Sequence, residues 1–225
     1  KVFFSGSDGS IFYLSPNSND LKQIISKTNE ALFKIYFVTS QSGFIVGSNG
    51  LILKSVDGGL SWRKINSGTT ANLFSISFSA EKNGVIVGWG GTILKTNDFG
   101  ESWTRHKSEL KTYLKDVAFV NQFLGVIVGG EGKILRTENG GDEWQVIKID
   151  SDAGLYKINF DTNGEGIILS NRGEIFFSND AGKTWSNKNV GQPLILNDIK
   201  QLNSGNFIIA CNTGNIFKSK VRTSK

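Results

Sequence analysis

The stretch Gly88–Trp103 reads GWGGTILKTNDFGESW, and its pattern recurs at three other places in the chain. Each copy ends in the phrase Ser/Thr-x-Asp-x-Gly-x-x-Trp, with an asparagine in the acidic position of the third copy. The closing tryptophans stand 41 residues apart and are Trp62, Trp103, Trp144 and Trp185. Repeats of this length are typical of solenoids and propellers, so one structural unit is built several times in succession.

Each repeat contains four short segments that have the composition of β-strands. The first begins at a leucine such as Leu73, and the second is an apolar run such as Val85–Val87. The third alternates after a glycine, and the fourth starts at the tryptophan that closes the phrase. Four antiparallel strands in about 40 residues predict a propeller blade. A parallel β-helix is the weaker alternative, because its coils are much shorter.

We predict an all-β protein, a β-propeller of about six four-stranded antiparallel blades in a single domain, residues 1–225. The repeat units run approximately over residues 1–31, 32–72, 73–113, 114–154, 155–195 and 196–225. The first unit lacks its first strand and the last has only a short tail for its fourth, so both terminal blades are predicted to be incomplete. Five blades with an extra hairpin, or seven blades in a longer parent protein, are the alternatives.

The Asp-x-Gly turn joins the third strand of each unit to the fourth, and its residue types suit a tight turn. The acidic or amide side chain can accept hydrogen bonds from N–H groups two or three residues on. The glycine permits the positive φ that such a turn needs, and the tryptophan is expected to pack against the neighbouring sheet. A structural role is therefore predicted for Asp57, Trp62, Asp98, Trp103, Asn139, Trp144, Asp180 and Trp185.

These phrases resemble the Asp-box, or BNR repeat, of bacterial neuraminidases, sortilin-type receptors and some plant-polysaccharide hydrolases. The longer pattern at Gly47–Trp62 and Gly88–Trp103 is more similar to photosystem II stability/assembly factor-like propellers. The resemblance covers nearly the whole chain. It implies a non-catalytic protein-binding scaffold or assembly factor-like propeller. The alternative is a secreted carbohydrate-binding or glycoside-hydrolase-type Asp-box propeller.

Candidate binding residues lie where the repeats differ from one another. One set occupies the turns between second and third strands, on the face where propellers usually meet their ligands: Asn49, Trp89, Glu131 and Arg172. Trp89 is an aromatic residue among mostly polar turn residues. It could anchor a sugar or a partner protein, or it could fold down and fill a gap.

A second set of candidates shares one position in the first strands and contains Lys34, Ser75, Asp116, Lys157 and Asp198. These mixed charges could form a binding site, but pairing with each other is the favoured interpretation. The adjacent position is more apolar and is predicted to pack between blades; it is occupied by Phe33, Phe74, Lys115, Tyr156 and Asn197.

Catalytic and metal chemistry find little support in the sequence. The five arginines do not converge on a sialidase-type cluster, and a carboxylate pair such as Asp116 with Asp198 is expected by chance. His106 and Cys211 are each the only residue of their kind, too few for a zinc site or a Cys-His nucleophile. We therefore predict no catalytic residues, no metal and no cofactor, with hydrolase activity left open.

Composition limits the partner and the compartment. The formal net charge is +5, but the lysines are spread over all units, which favours protection of sheet edges over a nucleic-acid footprint. Another protein, or else a glycan, is the predicted partner. No apolar run reaches the length of a membrane span. Methionine is absent even at position 1, so we expect that an N-terminal segment was removed, either as a cleaved signal peptide or by trimming of the chain. The first alternative predicts an extracytoplasmic protein, secreted or periplasmic.

Overall fold

The structure is a computed structural model that describes residues 1–15, 20–106, 108–189, 196–201, 206–211 and 216–220. The chain forms two compact units, Lys1–Lys111 and Thr112–Lys225. Within the described residues, regular structure is β-strand except for two short 3-10 turns, Ser48–Gly50 and Trp89–Gly91. A helix long and apolar enough to cross a bilayer does not occur among these residues.

The first unit contains three antiparallel sheets built from consecutive strands. The strands of the first sheet are β1 (Val2–Ser5), β2 (Ile11–Leu14) and β3 (Leu21–Ile24). Those of the second sheet are β4 (Leu32–Phe37), β5 (Gly43–Gly47), β6 (Ile52–Ser55) and β7 (Arg63–Ile65). Those of the third are β8 (Leu73–Phe78), β9 (Gly84–Gly88), β10 (Ile93–Thr96) and β11 (Thr104–His106).

The second unit repeats this plan in three further sheets. The fourth sheet has β12 (Leu114–Phe119), β13 (Gly125–Gly129), β14 (Ile134–Thr137) and β15 (Gln145–Ile147). The fifth has β16 (Leu155–Phe160), β17 (Gly166–Ser170), β18 (Glu174–Ser178) and β19 (Ser186–Asn189). The sixth has β20 (Leu196–Gln201), β21 (Asn206–Cys211) and β22 (Ile216–Lys220).

The predicted all-β architecture of six repeated antiparallel sheets is confirmed. The first sheet begins with a strand that corresponds to β5, so it has no counterpart of β4 among the described residues. The sixth sheet has counterparts of β4, β5 and β6, while the predicted short tail for its fourth strand, residues 221–225, lies outside the described residues. The prediction of one domain stays a prediction.

The apolar core lies between adjacent sheets and is supplied mainly by the second strands. All residues of β5, β9, β13 and β17 are buried, since each strand is flanked by strands on both edges and packed on its faces. One core cluster combines Ile11 of the first sheet with Ile45 and Leu53 of the second. Residues one sheet apart therefore share one core, as stacked repeats require.

A β-bulge interrupts the first strand of each of the last five sheets at the same repeat position. In the second sheet, Leu32 is opposite Gly47 and Lys34 is opposite Val46, so Phe33 is the extra residue. The residues at the bulged position are Phe33, Phe74, Lys115, Tyr156 and Asn197. A bulge bends the strand and redirects nearby side chains, so this position departs from simple strand alternation.

The two ends of a sheet carry different connections. The upper end holds the turn between second and third strands, such as Ser48–Gly50, and the segment that enters the first strand. The lower end holds the Asp-box and the turn between first and second strands. At the upper end, the Ser48 N–H donates to the Ala31 carbonyl at 2.9 Å and the Trp89 N–H to the Asn72 carbonyl at 2.8 Å. These bonds fix the upper turns against the connections between sheets.

Candidate functional site

The Asp-box at the lower end is a closed hydrogen-bonded turn. Asp57 Oδ1 accepts from the N–H groups of Leu60 and Ser61 at 2.9 and 3.0 Å, and Ser61 Oγ donates to Oδ2 at 2.6 Å. The Gly59 N–H donates to Ser55 Oγ at 2.9 Å. The hydrogen bonds to Asp57, those from Ser61 foremost, lower its pKa to about 2. The donors lie three and four residues after Asp57, whereas the sequence predicted donors two or three residues on.

The Asp57 side chain reaches donors three and four residues on because the turn contains two successive residues with positive φ. Gly58 and Gly59 have φ of 70° and 82°. In the second and fourth boxes, Phe99 and Ala181 adopt φ of 61° and 55° at the position of Gly58. The third box keeps the turn without the charge, because Asn139 Oδ1 accepts from the Glu143 N–H at 2.9 Å.

A box tryptophan packs at the seam between adjacent sheets of one unit, as Trp103 shows. Trp103 is 7% exposed, and its ring makes edge contacts with Phe78 of its own sheet at 6.1 Å and with Phe44 of the preceding sheet at 6.3 Å. A Cβ added to Gly100 would lie 2.5 Å from the Phe44 ring. The box therefore joins two sheets, and its Asp98 carboxylate and Thr96 hydroxyl are occupied by bonds within its own turn.

A buried cation adds a second link between sheets, which sequence reasoning missed. Lys54 is 4% exposed, and its Nζ donates to the Phe99 carbonyl at 2.5 Å and to Glu101 at 2.8 Å in the next box. In the second unit, Arg136 Nε donates to the Ala181 carbonyl at 2.9 Å. Lys54 and Arg136 hold the same repeat position, directly before the first residue of a box. This recurrence of a basic residue is the sequence signal that could have predicted the link between sheets.

The upper end of the third sheet presents Trp89. Its side chain is 61% exposed, while its backbone is fixed: the carbonyl accepts from the Thr92 N–H at 3.3 Å and from Thr92 Oγ1 at 2.7 Å. The side chain therefore projects from a rigid turn. An exposed aromatic residue on a fixed backbone loses little conformational entropy on binding.

A polar cluster beside Trp89 connects the upper ends of the second and third sheets. The Asn49 N–H donates to Asn72 Oδ1 at 3.1 Å, and the Asn72 carbonyl accepts from the Trp89 N–H. Glu30 accepts from Ser48 Oγ at 2.5 Å and from Asn49 Nδ2 at 2.9 Å, and these bonds lower its pKa. Asn49 and Trp89, both predicted from sequence, are thus coupled through Asn72, which was not.

The second unit presents charged groups at its upper ends. Glu131 lies at a turn with φ of 57° and is exposed. Arg172 Nη1 pairs with Asp152 Oδ1 at 2.5 Å, and both side chains are largely exposed. The pair lowers the pKa of Asp152. The two candidates Glu131 and Arg172 lie on different sheets of one unit, and the Arg172 guanidinium is already paired with a carboxylate at the same end of its sheet.

The charged position of the first strands has the same pairing register in all five sheets, as Lys34 opposite Val46 and Asp116 opposite Val128 show, but the burial of its members differs. Asp116 is 5% exposed and accepts from the N–H groups of Val117 and Ile158 at 3.1 and 3.2 Å. It therefore links β12 to β16. Lys157 pairs instead with the exposed Asp198 at 3.2 Å, which agrees with the pairing interpretation.

The members of this charged position in the first unit also differ. Ser75 is 1% exposed, whereas Lys34 is only partly buried. The bulge is common to all five first strands, so the spread in burial reflects the different side chains and their partners. The same bulge leaves Phe33 43% exposed, with its ring 5.7 Å from that of Phe74 in the next sheet. The sequence predicted that residues at the Phe33 position pack between sheets. It did not predict that Phe33 would be so exposed.

A second basic group accompanies these residues in the second unit. Lys115 is half-buried, and its pKa is lowered first by burial and then by the charge of Lys157.

Among the described residues, clusters of three or more His, Cys, Asp or Glu side chains that could hold a metal do not occur. Cys211 lies at the end of β21, and its side chain is outside the description.

Solved structures similar to this one are β-propellers. They include YCF48 bound to D1 peptide, with TM-score 0.70, 22% identity and coverage of 85% of this chain and 65% of that one. YCF48 from Cyanidioschyzon merolae has TM-score 0.72 and 20% identity, with coverage of 90% and 71%. An ancestral GH74 enzyme has TM-score 0.75 and 13% identity, with coverage of 99% and 37%. At these sequence identities, the similarity shows that this chain shares the fold of those proteins.

The chain spans about two thirds of the length of the YCF48 structures that it matches. Comparison with proteins of curated function gives no match. The family model described as photosynthesis system II assembly factor YCF48 matches residues 14–112 and 105–224, nearly the whole chain. The resemblance seen in the repeat pattern is thereby confirmed. The chain belongs to the photosynthesis system II assembly factor YCF48 family.

Proposed function

We propose that this chain is a non-catalytic assembly factor whose upper sheet ends bind a segment of a protein partner. The observation that carries the proposal is the match of the YCF48 family model along both halves of the chain. A related structure holds YCF48 bound to D1 peptide, so a peptide from a partner protein is the class of ligand to test first.

The upper end of the first unit is the part of the chain best suited to such a peptide. Trp89 supplies exposed apolar area on a fixed turn, and Asn49 and Glu30 supply polar groups beside it. Aromatic anchors with a polar surround are typical of protein interfaces. Phe33 and Phe74 extend the apolar area at the upper part of the first strands. Peptide capture therefore needs no group from the Asp-boxes.

The carbohydrate alternative has less support. GH74 enzymes share the fold at 13% and 16% identity, and the chain covers 37% and 40% of their length. Asp116, one of the two carboxylates considered for hydrolysis, is buried and bonded to two backbone N–H groups.

An extracytoplasmic location is also part of our proposal for this chain. Fractionation of the source cells tests it.

The test is calorimetric titration of the purified chain with a D1 peptide. Binding by the wild-type chain is expected, and Trp89→Ala should weaken it by about tenfold or more, the size of effect seen for interface tryptophans. Phe123→Ala is the matched control, because Phe123 is 56% exposed but lies at a lower sheet end. Equal losses in both variants, or no loss in Trp89→Ala, would contradict the assignment to the upper end.

A further inference from the structure

The last strands of the first five sheets, β3, β7, β11, β15 and β19, differ in how they protect an open edge. Each pairs with only one neighbour among the described residues. An open edge can pair with another strand, and charged side chains are a common way to prevent this. Four of these strands contain a lysine or an arginine, as in Arg63–Ile65 and Thr104–His106. Of the five, only β15, with the sequence Gln145-Val146-Ile147, has no charged residue.

The central residue of β15 ends an apolar row that crosses its sheet. Residues directly opposite one another on neighbouring strands are Val117, Ile127, Leu135 and Val146. The first three are buried, whereas Val146 is 55% exposed. The same row ends in a polar residue in the other four sheets: Gln23, Lys64, Arg105 and Asn187. In the fourth sheet, the apolar row therefore continues to the open edge.

The repeat position of Val146 is exposed in every one of these sheets, so its surroundings are not unusual. Its counterparts Gln23, Lys64, Arg105 and Asn187 are all exposed. What changes in the fourth sheet is the side chain. A β-branched apolar residue favours strand pairing at this point, whereas a lysine or an arginine opposes it.

We propose that the β15 edge pairs antiparallel with the β15 edge of a second copy of this chain. Identical surfaces related by a two-fold axis form the commonest kind of symmetric dimer. An axis at Val146 places this residue opposite its own counterpart and joins the apolar rows of two four-stranded sheets. This surface is separate from the upper sheet ends of the proposed function and does not depend on Trp89.

The two-fold symmetry is what favours a second copy as the occupant of this edge. In a symmetric pair, the central residue meets itself, so a charged residue there would face a like charge. Pairing β7 or β11 with itself would oppose two copies of Lys64 or of Arg105, which is destabilising, whereas two valines form a favourable cross-strand pair. The residues beside Val146 agree, since Lys148 of one copy would lie opposite Trp144 of the other and not opposite a second lysine.

The length of β15 sets the strength of this pairing. The strand has three residues, so the contact provides few main-chain bonds and buries much less than the roughly 1,600 Å² of a standard interface. The dimer should therefore exist in a concentration-dependent equilibrium with the monomer.

Sedimentation equilibrium of the full 225-residue chain over a wide range of concentrations tests the proposal. The average mass should rise from 24.6 kDa towards twice that value. Val146→Lys should raise the dissociation constant at least about tenfold, and it should fold normally because the side chain is exposed. Gln23→Lys is the matched control, since it adds the same charge at the same repeat position of the first sheet. It should leave the dissociation constant unchanged.

A pair of oppositely charged variants tests the symmetry of the contact. Val146→Lys and Val146→Glu should each be monomeric alone, because like charges would face each other across the axis. An equal mixture of the two should form a heterodimer, because opposite charges then face each other. Val146→Lys should leave binding of the D1 peptide unchanged, and Trp89→Ala should leave the dimer unchanged, so the two proposals can fail separately.

Three results would overturn the proposal. A wild-type chain that stays at 24.6 kDa at every concentration would show that the edge does not bind a second copy. A dimer that is as tight in Val146→Lys as in wild type would place the contact elsewhere on the chain. Failure of the mixed variants to associate would mean that Val146 does not face its own counterpart.

Discussion

The two ends of each sheet use the repeat in opposite ways. At the lower end, the boxes of the second and third sheets have the same bond: the Gly59 N–H donates to Ser55 Oγ and the Gly100 N–H donates to Thr96 Oγ1, each at 2.9 Å. At the upper end, the turns of the same two sheets share a backbone path but present Asn49 and Trp89. The positions where the repeats agree are the hydrogen-bonded turns, and the proposed binding residues are among the positions where the repeats diverge.

Removing a box tryptophan is the strongest way to test this comparison. Trp103→Ala should lower the free energy of unfolding by about 3–5 kcal/mol, the usual cost of truncating a buried aromatic residue. Trp89→Ala should change it by less than about 0.5 kcal/mol, as expected for an exposed side chain. Urea denaturation followed by tryptophan fluorescence measures both. A Trp103→Ala chain as stable as wild type would show that the box does not hold the sheets together.

Removing the box carboxylate should have a smaller effect. Asp98→Ala deletes the acceptor for the Ser102 N–H and for Ser102 Oγ, at 3.0 and 2.6 Å, and should cost about 1–2 kcal/mol. Asp98→Asn should cost less than half as much, because Asn139 makes the same turn in the third box. Thermal unfolding of both variants gives the comparison. Equal losses would mean that the charge, and not the turn, is what matters.

Acid should separate the charged boxes from the neutral one. Hydrogen bonds from Ser102 lower the pKa of Asp98 from 3.8 to about 2, and Asp57 behaves alike. A carboxyl with a depressed folded-state pKa stabilises the fold above its ordinary pKa and loses that contribution as pH falls through its folded value. The melting temperature should therefore fall between pH 4 and pH 2.

The double variant Asp57→Asn, Asp98→Asn is the control for this pH effect. It removes two of the depressed carboxyls and should show a shallower fall in melting temperature over the same pH range. Parallel curves for wild type and double variant would assign the acid sensitivity to other carboxyls. Asn139→Asp gives the reverse test, since it should add acid sensitivity to the third box.

Most of the fold could be predicted because it depends on a period and on strand composition. Four tryptophans 41 residues apart fixed the repeat, and apolar runs such as Val85–Val87 placed the strands. The bulge could not be predicted, since an extra residue in one strand leaves the strand pattern unchanged. The burial of the first-strand charges could not be predicted either, because it depends on partners in the next sheet: Asp116 is buried against the Ile158 N–H, whereas Asp198 is exposed.

The candidate site was predictable only in part. Trp89 was identified because an aromatic residue replaces a polar one at a turn, and the structure places it on an exposed tip. Asn72 was missed because its role depends on two backbone N–H groups that meet only after folding. Lys54 was missed because a lysine in a strand is normally taken as solvent-exposed, and only the carbonyl and carboxylate of the next box explain its burial.

The bulged position has a practical consequence for altering recognition. Its residue is skipped by the strand pairing, and phenylalanine, lysine and tyrosine already occur there in different sheets. Substitution at this point therefore changes no cross-strand partner. A combinatorial library randomised only at residues 33, 74, 115 and 156 would diversify one side chain in each of the second to fifth sheets. Every strand register would stay intact, so the position suits selection for new binding specificities.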